Sequence, residues 1–376
     1  HSATIAEVAP GEFLAAWFGG TWESYADVVI WGSRHKAGQG WSREPWVLAG
    51  QERAGEPCWN PVLVHLPASS ETLLFYKVGM SPRTWRPLLR RSSDRGATWS
   101  AAEPISAPCM GPAKNKPFVL PDGLTMLSGA SDEVDADMIS MARESWQPKQ
   151  NGLGSVFDSE TLRSYLGPRR HLVEGWRSWV EVSTDRGYTW HRQKDIAFKG
   201  RVIQPALFWT KKWGFGMLLR PRSSGAIIRS SSMDGQHWTE GRATELPNPN
   251  SGIDAVALRD GRVLVVYNPA RRFESGTGRH ELAVAVSSDG GDTWKKAVIL
   301  ESRPEEVPVP SICCDSSKTS GSCPVNFRHA EYSYPSIIQA SDGLVHVVYT
   351  YSYGAAKTPC SGRENIKHVV IDPDEL

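Results

Sequence analysis

The chain has 376 residues, is 40% hydrophobic and carries 42 basic against 41 acidic residues. That apolar fraction supports a large core, and the near-neutral balance removes the electrostatic case for nucleic acid or an anionic membrane surface as a partner. No run approaches the roughly 18 apolar residues of a membrane span, so none is expected.

Taken in order, Ser2 to Val8 and Gly11 to Phe18 read as two short strands around a Pro10-Gly11 turn, and Asp27 to Trp31 as a third. The N-terminal strand is expected to complete the last sheet of the fold, beside Lys367 to Ile371. Pro61 to Leu66 and Thr72 to Val78 form a hairpin, and Arg86 to Arg91 leads into a polar turn. Lys116 to Leu120 and Leu124 to Leu127 pair across Pro121-Asp122-Gly123. Ser131 to about Arg170 breaks this rhythm: it is polar, has helix formers around Asp135 to Glu144, and reads as an insertion. Strands resume at Ser178 to Ser183, followed by hairpins over Ala206 to Leu219, Ala255 to Tyr267 and Ser336 to Tyr351.

A repeat punctuates these strands. Ser92 to Trp99, Ser183 to Trp190 and Ser287 to Trp294 share the pattern Ser-x-Asp-x-Gly-x-x-Trp. Ser232 to Trp238 is one residue short, and Ser33 to Trp41 lacks the Asp. Ser and Asp side chains capture nearby backbone N–H groups, Gly accepts positive φ, and the Trp covers the turn, so the unit staples a hairpin and is structural. The last three repeat Asp residues are 49 and 55 residues apart, one sheet per repeat; Asp94 to Asp185 is 91, one sheet plus the insertion. With a closing C-terminal sheet this gives an all-β fold, a six-bladed β-propeller built as a single domain over residues 1–376.

Of the six Cys, Cys313, Cys314, Cys323 and Cys360 fall in or beside loop-like stretches near the C-terminus. An oxidised staple there implies a secreted protein or the secretory pathway; free thiols are the alternative. No spacing of Cys or His fits zinc, so no metal and no cofactor are expected.

In a propeller, residues that begin inner strands of different blades converge at one end of the channel. Arg220 closes Phe215 to Leu219, Arg279 opens the strand before the Asp289 turn, Tyr334 opens Tyr334-Pro-Ser-Ile-Ile338, and His1 opens the first strand. Singly each is as readily a surface or packing residue; together they are a candidate site.

The turns are similar to Asp-box, or BNR, repeats, and nearly the whole chain resembles the sialidase superfamily. Trp59-Asn-Pro-Val-Leu63, Lys114-Asn-Lys-Pro117, Asn248 to Asp254 and Glu331-Tyr-Ser-Tyr-Pro335 resemble the sialidase-like BNR proteins of plants and algae. The resemblance implies a carboxylate bound by Arg residues, a Tyr nucleophile backed by a Glu, and an Asp acid/base. It assigns Arg279, eight residues before Ser287, and Arg220, sixteen after Gln204, to the carboxylate. It assigns Tyr334, eight before Asp342, to the nucleophile, with Asp27 as acid/base and Glu23 its competitor in the same loop. Two positions depart from the pattern. His1 stands where an Arg is expected, and Gln204 stands where the Glu should be. An amide cannot take the proton of a phenol that titrates near 10. Glu331 is a substitute base, although alternation along a strand turns it away from Tyr334.

Three readings follow, all with an acidic glycan or uronate-containing carbohydrate as partner. One is a sialidase-type glycoside hydrolase using Tyr334, Arg220, Arg279 and Asp27 or Glu23. Another is a uronate lyase in which His1 and Tyr334 act as base and acid. The third is a carbohydrate-binding propeller without turnover.

Overall fold

The computed structural model of the chain describes residues 1–50, 55–134, 175–222, 225–270, 278–302, 330–352 and 365–376. Among them the chain forms six antiparallel sheets whose strand order follows chain order. They stand around an axis as the blades of a six-bladed β-propeller. The first strands of the blades, Thr4–Ala9, Cys58–Leu66, Phe118–Val119, Val202–Thr210, Asp254–Ala257 and Glu331–Gln339, line the centre.

Side-chain alternation explains why the blades pack this way. A strand sends successive side chains to opposite faces, and a blade has a neighbour on each face, so both faces are apolar. Blade one meets blade two through Leu14, Phe18 and Ile30 against Leu63, Leu74 and Tyr76. Blade four meets blade five through Phe208, Leu218 and Ile227 against Val263, Val265 and Ala285. Separate clusters fill the other seams, and the ring closes where Ile5 and Phe13 pack on Ala340 and Val348.

This closure differs from the sequence expectation. Thr4–Ala9 pairs with Glu12–Gly19 inside blade one and does not extend the last sheet. Asn365–Ile371 pairs with Val345–Ser352 at the outer edge of blade six. The seam is joined instead by side chains: Ser341 donates to Glu7 from its backbone N–H at 2.7 Å and its hydroxyl at 2.6 Å, and the Trp41 indole donates to His368 Nδ1 at 3.2 Å. Alternation alone could not reveal this, because either sheet edge offers the same apolar pattern.

The expected insertion begins inside a strand. Ser131 to Val134 finish Met126–Val134, which pairs with Gly175–Ser183 in continuous register from Met126↔Ser183 to Val134↔Gly175. The remainder of that stretch lies outside the described residues. So do Cys313, Cys314, Cys323 and Cys360, while Cys58 and Cys109 are buried free thiols. No helix among the described residues is long and apolar enough to cross a membrane.

The repeated turns have one hydrogen-bond plan. In the copy at Asp289, the Ser287 hydroxyl donates to Asp289 Oδ1 at 2.8 Å and accepts from Gly291 N at 2.8 Å, while Asp289 accepts from Thr293 N at 2.9 Å and Thr293 Oγ1 at 2.6 Å. Trp294 folds back to donate to Gly291 O at 3.0 Å. The turns also tie blades together. Arg34, Arg91 and Arg229, each on one blade, donate to turn carbonyls of the next at Arg95, Arg186 and Gly290, at 2.7, 3.0 and 2.9 Å. At Gly96 (φ 83°) an added Cβ would come within 2.5 Å of Leu14 on blade one, so the repeat Gly is also required for blade packing. The Trp41 copy, without its Asp, has turned its indole to the ring seam instead.

Partial burial raises the Asp289 carboxyl, but the hydrogen bonds from Thr293 and Ser287 outweigh it and hold the pKa at about 2. Its stabilisation is therefore present above the unfolded value near 4 and is lost as pH falls towards 2. Asp289→Ala is expected to cost about 1–2 kcal/mol at pH 7. In denaturant titrations its gap from the parent should narrow as pH falls through that window.

Candidate functional site

Six-fold repetition leaves inner strands that begin close together, and their opening residues enclose a cavity of about 210 Å³. His1 from blade one, Asn60 from blade two, Gln204 and Arg220 from blade four and Tyr334 from blade six line it. Glu23, Trp59, Trp85, Asp132, Glu133 and Trp176 form its upper walls.

A shared backbone device presents these side chains. Asn60, Gln204 and Tyr334 have φ of 41°, 55° and 52°, and each precedes a proline. Pairing slips at the same places, between Trp59 and Val62, Ile203 and Ala206, and Ser333 and Ser336. A non-glycine residue in the left-handed region costs on the order of 1–3 kcal/mol. Such strain persists only where the surroundings over-determine it. The bulge swings the residue out of strand alternation, and three blades use it at one cavity.

Arg220 organises the cavity. Its Nη1 donates to the Tyr334 hydroxyl at 2.6 Å and to Gln204 Oε1 at 3.0 Å. Its Nε donates to Asn250 Oδ1 at 3.0 Å and its Nη2 to Asn250 O at 2.9 Å. All four contacts are to neutral oxygens, so among the described residues no carboxylate is hydrogen-bonded to the buried guanidinium. The ring of Trp176 lies 5.4 Å from the Arg220 Cζ. Burial pushes the Tyr334 phenol up, but Arg220 and then Arg279 pull it down, and the balance lies below the ordinary tyrosine value. Opposite charges about 4 Å apart near a protein surface attract by about 4 kcal/mol, which is why two guanidiniums outweigh desolvation here.

Arg279 is placed differently from Arg220. Its Cζ lies 5.4 Å from the Tyr334 ring centroid, but Nη1 is paired with Glu331 at 2.9 Å and Nη2 donates to Asn250 O at 3.2 Å. Arg279 is not among the residues that line the cavity. The Asn250 carbonyl, at positive φ, lies between the two guanidiniums and holds them as a pair. The clamp expected of two arginines is therefore one arginine at the cavity and one behind it.

His1 is at the cavity, its ring 4.2 Å from that of Tyr334 and its Nδ1 2.9 Å from Thr350 Oγ1. Glu23 lines the mouth and faces Tyr334 and Arg220 electrostatically. Asp27 does not join them. It is exposed and accepts from Thr21 N and Thr21 Oγ1, each at 2.7 Å, and these bonds lower its pKa. A carboxylate held ionised in its own turn is a poor proton donor, so between the two candidates in that loop the geometry favours Glu23. Glu331, the substitute base, is buried, pairs with Arg279 at 2.9 Å and accepts from Ser333 Oγ at 2.6 Å, and it is not among the residues that line the cavity.

Sequence reasoning missed several contributors. Asn250 lay inside a quoted motif without a role. Lys114 is fully buried beneath Tyr334, its Nζ 5.9 Å from the ring centroid. Trp176 directly follows the undescribed stretch, where no periodicity marked it. No group of His, Cys, Asp or Glu among the described residues could hold a metal ion.

A family model described as the BNR repeat-like domain matches residues 11–347. The chain belongs to the BNR repeat-like domain family. No curated protein matches it significantly. Among solved structures, a Hadza microbial sialidase superposes with a TM-score of 0.67 at 14% identity over 100% of this chain, which spans 65% of that sialidase. The intramolecular trans-sialidase from Ruminococcus gnavus gives 0.63 at 12% identity, covering 100% of this chain and 95% of that one. The alpha-L-arabinanase of Penicillium chrysogenum gives 0.60 at 15%, with 100% and 93% covered. At these identities the likeness is one of fold.

Removing the Arg220 charge should release the phenol. In an ultraviolet difference titration referenced to Tyr334→Phe, Arg220→Gln is expected to move the Tyr334 transition upward, because burial then acts on the phenol with less to oppose it. An unmoved transition would contradict the pairing.

Proposed function

We propose that the protein is a sialidase-type glycoside hydrolase acting on a sugar that bears a carboxylate. The observation that carries this is the 2.6 Å bond from Arg220 to the Tyr334 hydroxyl inside a sugar-sized cavity, with no carboxylate among the described residues bonded to the guanidinium. A buried cation with only neutral partners favours an anionic ligand group, and one N–H of Nη2 remains to meet it. In this reading the Tyr334 oxygen attacks the anomeric carbon and Glu23 protonates the departing oxygen. Water then cleaves the glycosyl–tyrosine bond. Gln204 cannot serve as base, so the guanidiniums take over part of that task by favouring the phenolate. The similarity in fold to sialidases and to an arabinanase supports glycosidase chemistry in general; the charge at Arg220 supports the acidic sugar.

The test is release of a chromogenic aglycone from acidic and neutral glycosides. Release is expected from the acidic set, with Tyr334→Phe lowering kcat about a thousandfold or more. Gln204→Glu is expected to raise the rate, because it supplies the missing base. Neutral glycosides cleaved equally well would overturn the acidic-sugar assignment.

A second reading rests on the His1 ring, 4.2 Å from that of Tyr334. A uronate lyase would use such a pair as base and acid, with Arg220 acidifying the α-proton. An ultraviolet-absorbing unsaturated product without free aglycone would select it. Binding of acidic sugars without turnover by parent or Gln204→Glu would instead select a binding propeller.

A further inference from the structure

Lys114 presents a problem of cost. Its side chain is buried at the centre of the ring, where an ammonium loses several kcal/mol of hydration and a methionine or leucine would fill the space more cheaply. The Nζ reaches across the channel from blade three and donates to Ile253 O at 3.1 Å, which leads into blade five, and to Pro335 O at 2.5 Å on blade six. Its third contact is Asn115 Oδ1 at 2.9 Å, and Asn115 in turn donates to Gln204 O at 3.0 Å. Pro335 and Pro205 follow the two bulged residues Tyr334 and Gln204. The contacts of Lys114 and Asn115 therefore converge on the two strained peptides that present the site.

The loop behind Lys114 is itself clamped. Glu181 accepts from Met110 N and Gly111 N, both at 2.8 Å, while Lys77 donates to Met110 O and, at 2.9 Å, to Pro112 O. A buried acid and a buried base thus hold the segment from which Lys114 extends. The neighbouring Lys116 is separate: it pairs with Asp254 at 2.8 Å and bonds Ala255 O at 2.9 Å, without reaching Pro335.

We propose that Lys114 is the positioning residue of the Tyr334 site, holding Tyr334 in its left-handed conformation against Arg220 by gripping the Pro335 carbonyl from across the channel. This rests on the reading of Tyr334 as the reactive group but does not need a substrate to be tested. Without the grip, the bulge can relax towards ordinary strand geometry and the phenol leaves the guanidinium.

The experiment is the ultraviolet titration of Tyr334 in Lys114→Met, referenced to the double variant with Tyr334→Phe, with Lys116→Met as control for the channel filling. Lys114→Met is expected to raise the Tyr334 transition by about one pH unit or more, a tenfold loss of phenolate at fixed pH. Lys116→Met is expected to leave it in place. Where methionine does not fold, Lys114→Leu, which also lacks a donor, is read by the same criterion. On any substrate that is turned over, kcat should fall more than KM rises. An unmoved transition in folded Lys114 variants, even with a lowered Tm, would reduce Lys114 to channel packing and overturn the proposal. An equal shift in Lys116→Met would do the same. Because the titration reads the phenol directly, it stands whether or not glycosides are cleaved.

Discussion

The candidate site depends on a buried positive charge surrounded by neutral oxygens. Arg220 gives four hydrogen bonds to Gln204, Tyr334 and both oxygens of Asn250. Hydrogen bonds to a charged group contribute about 1.5–3 kcal/mol each, enough together to keep a guanidinium in place away from bulk water. They fix its orientation without cancelling its charge. The consequences are electrostatic: the phenol is made more acidic, and in the proposed reading the cavity takes an anion. Glutamate at position 204 would accept the same hydrogen bond and add a base beside the phenol. The amide there leaves the charge for a ligand to meet.

Orientation of this kind requires a rigid frame, and the frame is built from strain and its compensation. Asn60, Gln204 and Tyr334 each occupy the left-handed region ahead of a proline. Proline cannot donate a ladder hydrogen bond, so the slip in pairing costs less at these positions than elsewhere. The channel beneath is filled by Lys114, Asn115 and Lys116, whose polar ends reach blades four, five and six. The motifs that stood out in the sequence, Lys114 to Pro117, Asn248 to Asp254 and Glu331 to Pro335, are largely the two sides of these cross-channel contacts.

The fold was legible because its signals are local. A turn that repeats Ser, Asp, Gly and Trp at set offsets can be read from the chain, and the intervals between copies count the blades. His1, Gln204, Arg220 and Tyr334 were legible for a related reason, since each sits at a set offset from such a turn or strand. What failed was non-local. Asp27 and Glu23 share a loop, and only coordinates distinguish the one capping Thr21 from the one at the cavity. Arg279 sits at the expected spacing, yet its guanidinium is taken up by Glu331 and Asn250. A lysine such as Lys114 ordinarily reads as a solvated surface residue, and nothing near it in the sequence indicates two carbonyls waiting across a channel. The closure of the ring was misjudged because an apolar strand suits either neighbouring sheet.

The central claim is that the cavity selects for negative charge through Arg220. Calorimetric titration with a monosaccharide carboxylic acid and with its methyl ester, the same ring differing only in charge, measures this directly. The account predicts that the acid binds at least about tenfold more tightly, a difference of about 1.4 kcal/mol, and that Arg220→Gln abolishes the preference. Equal binding of acid and ester by the parent protein would contradict it.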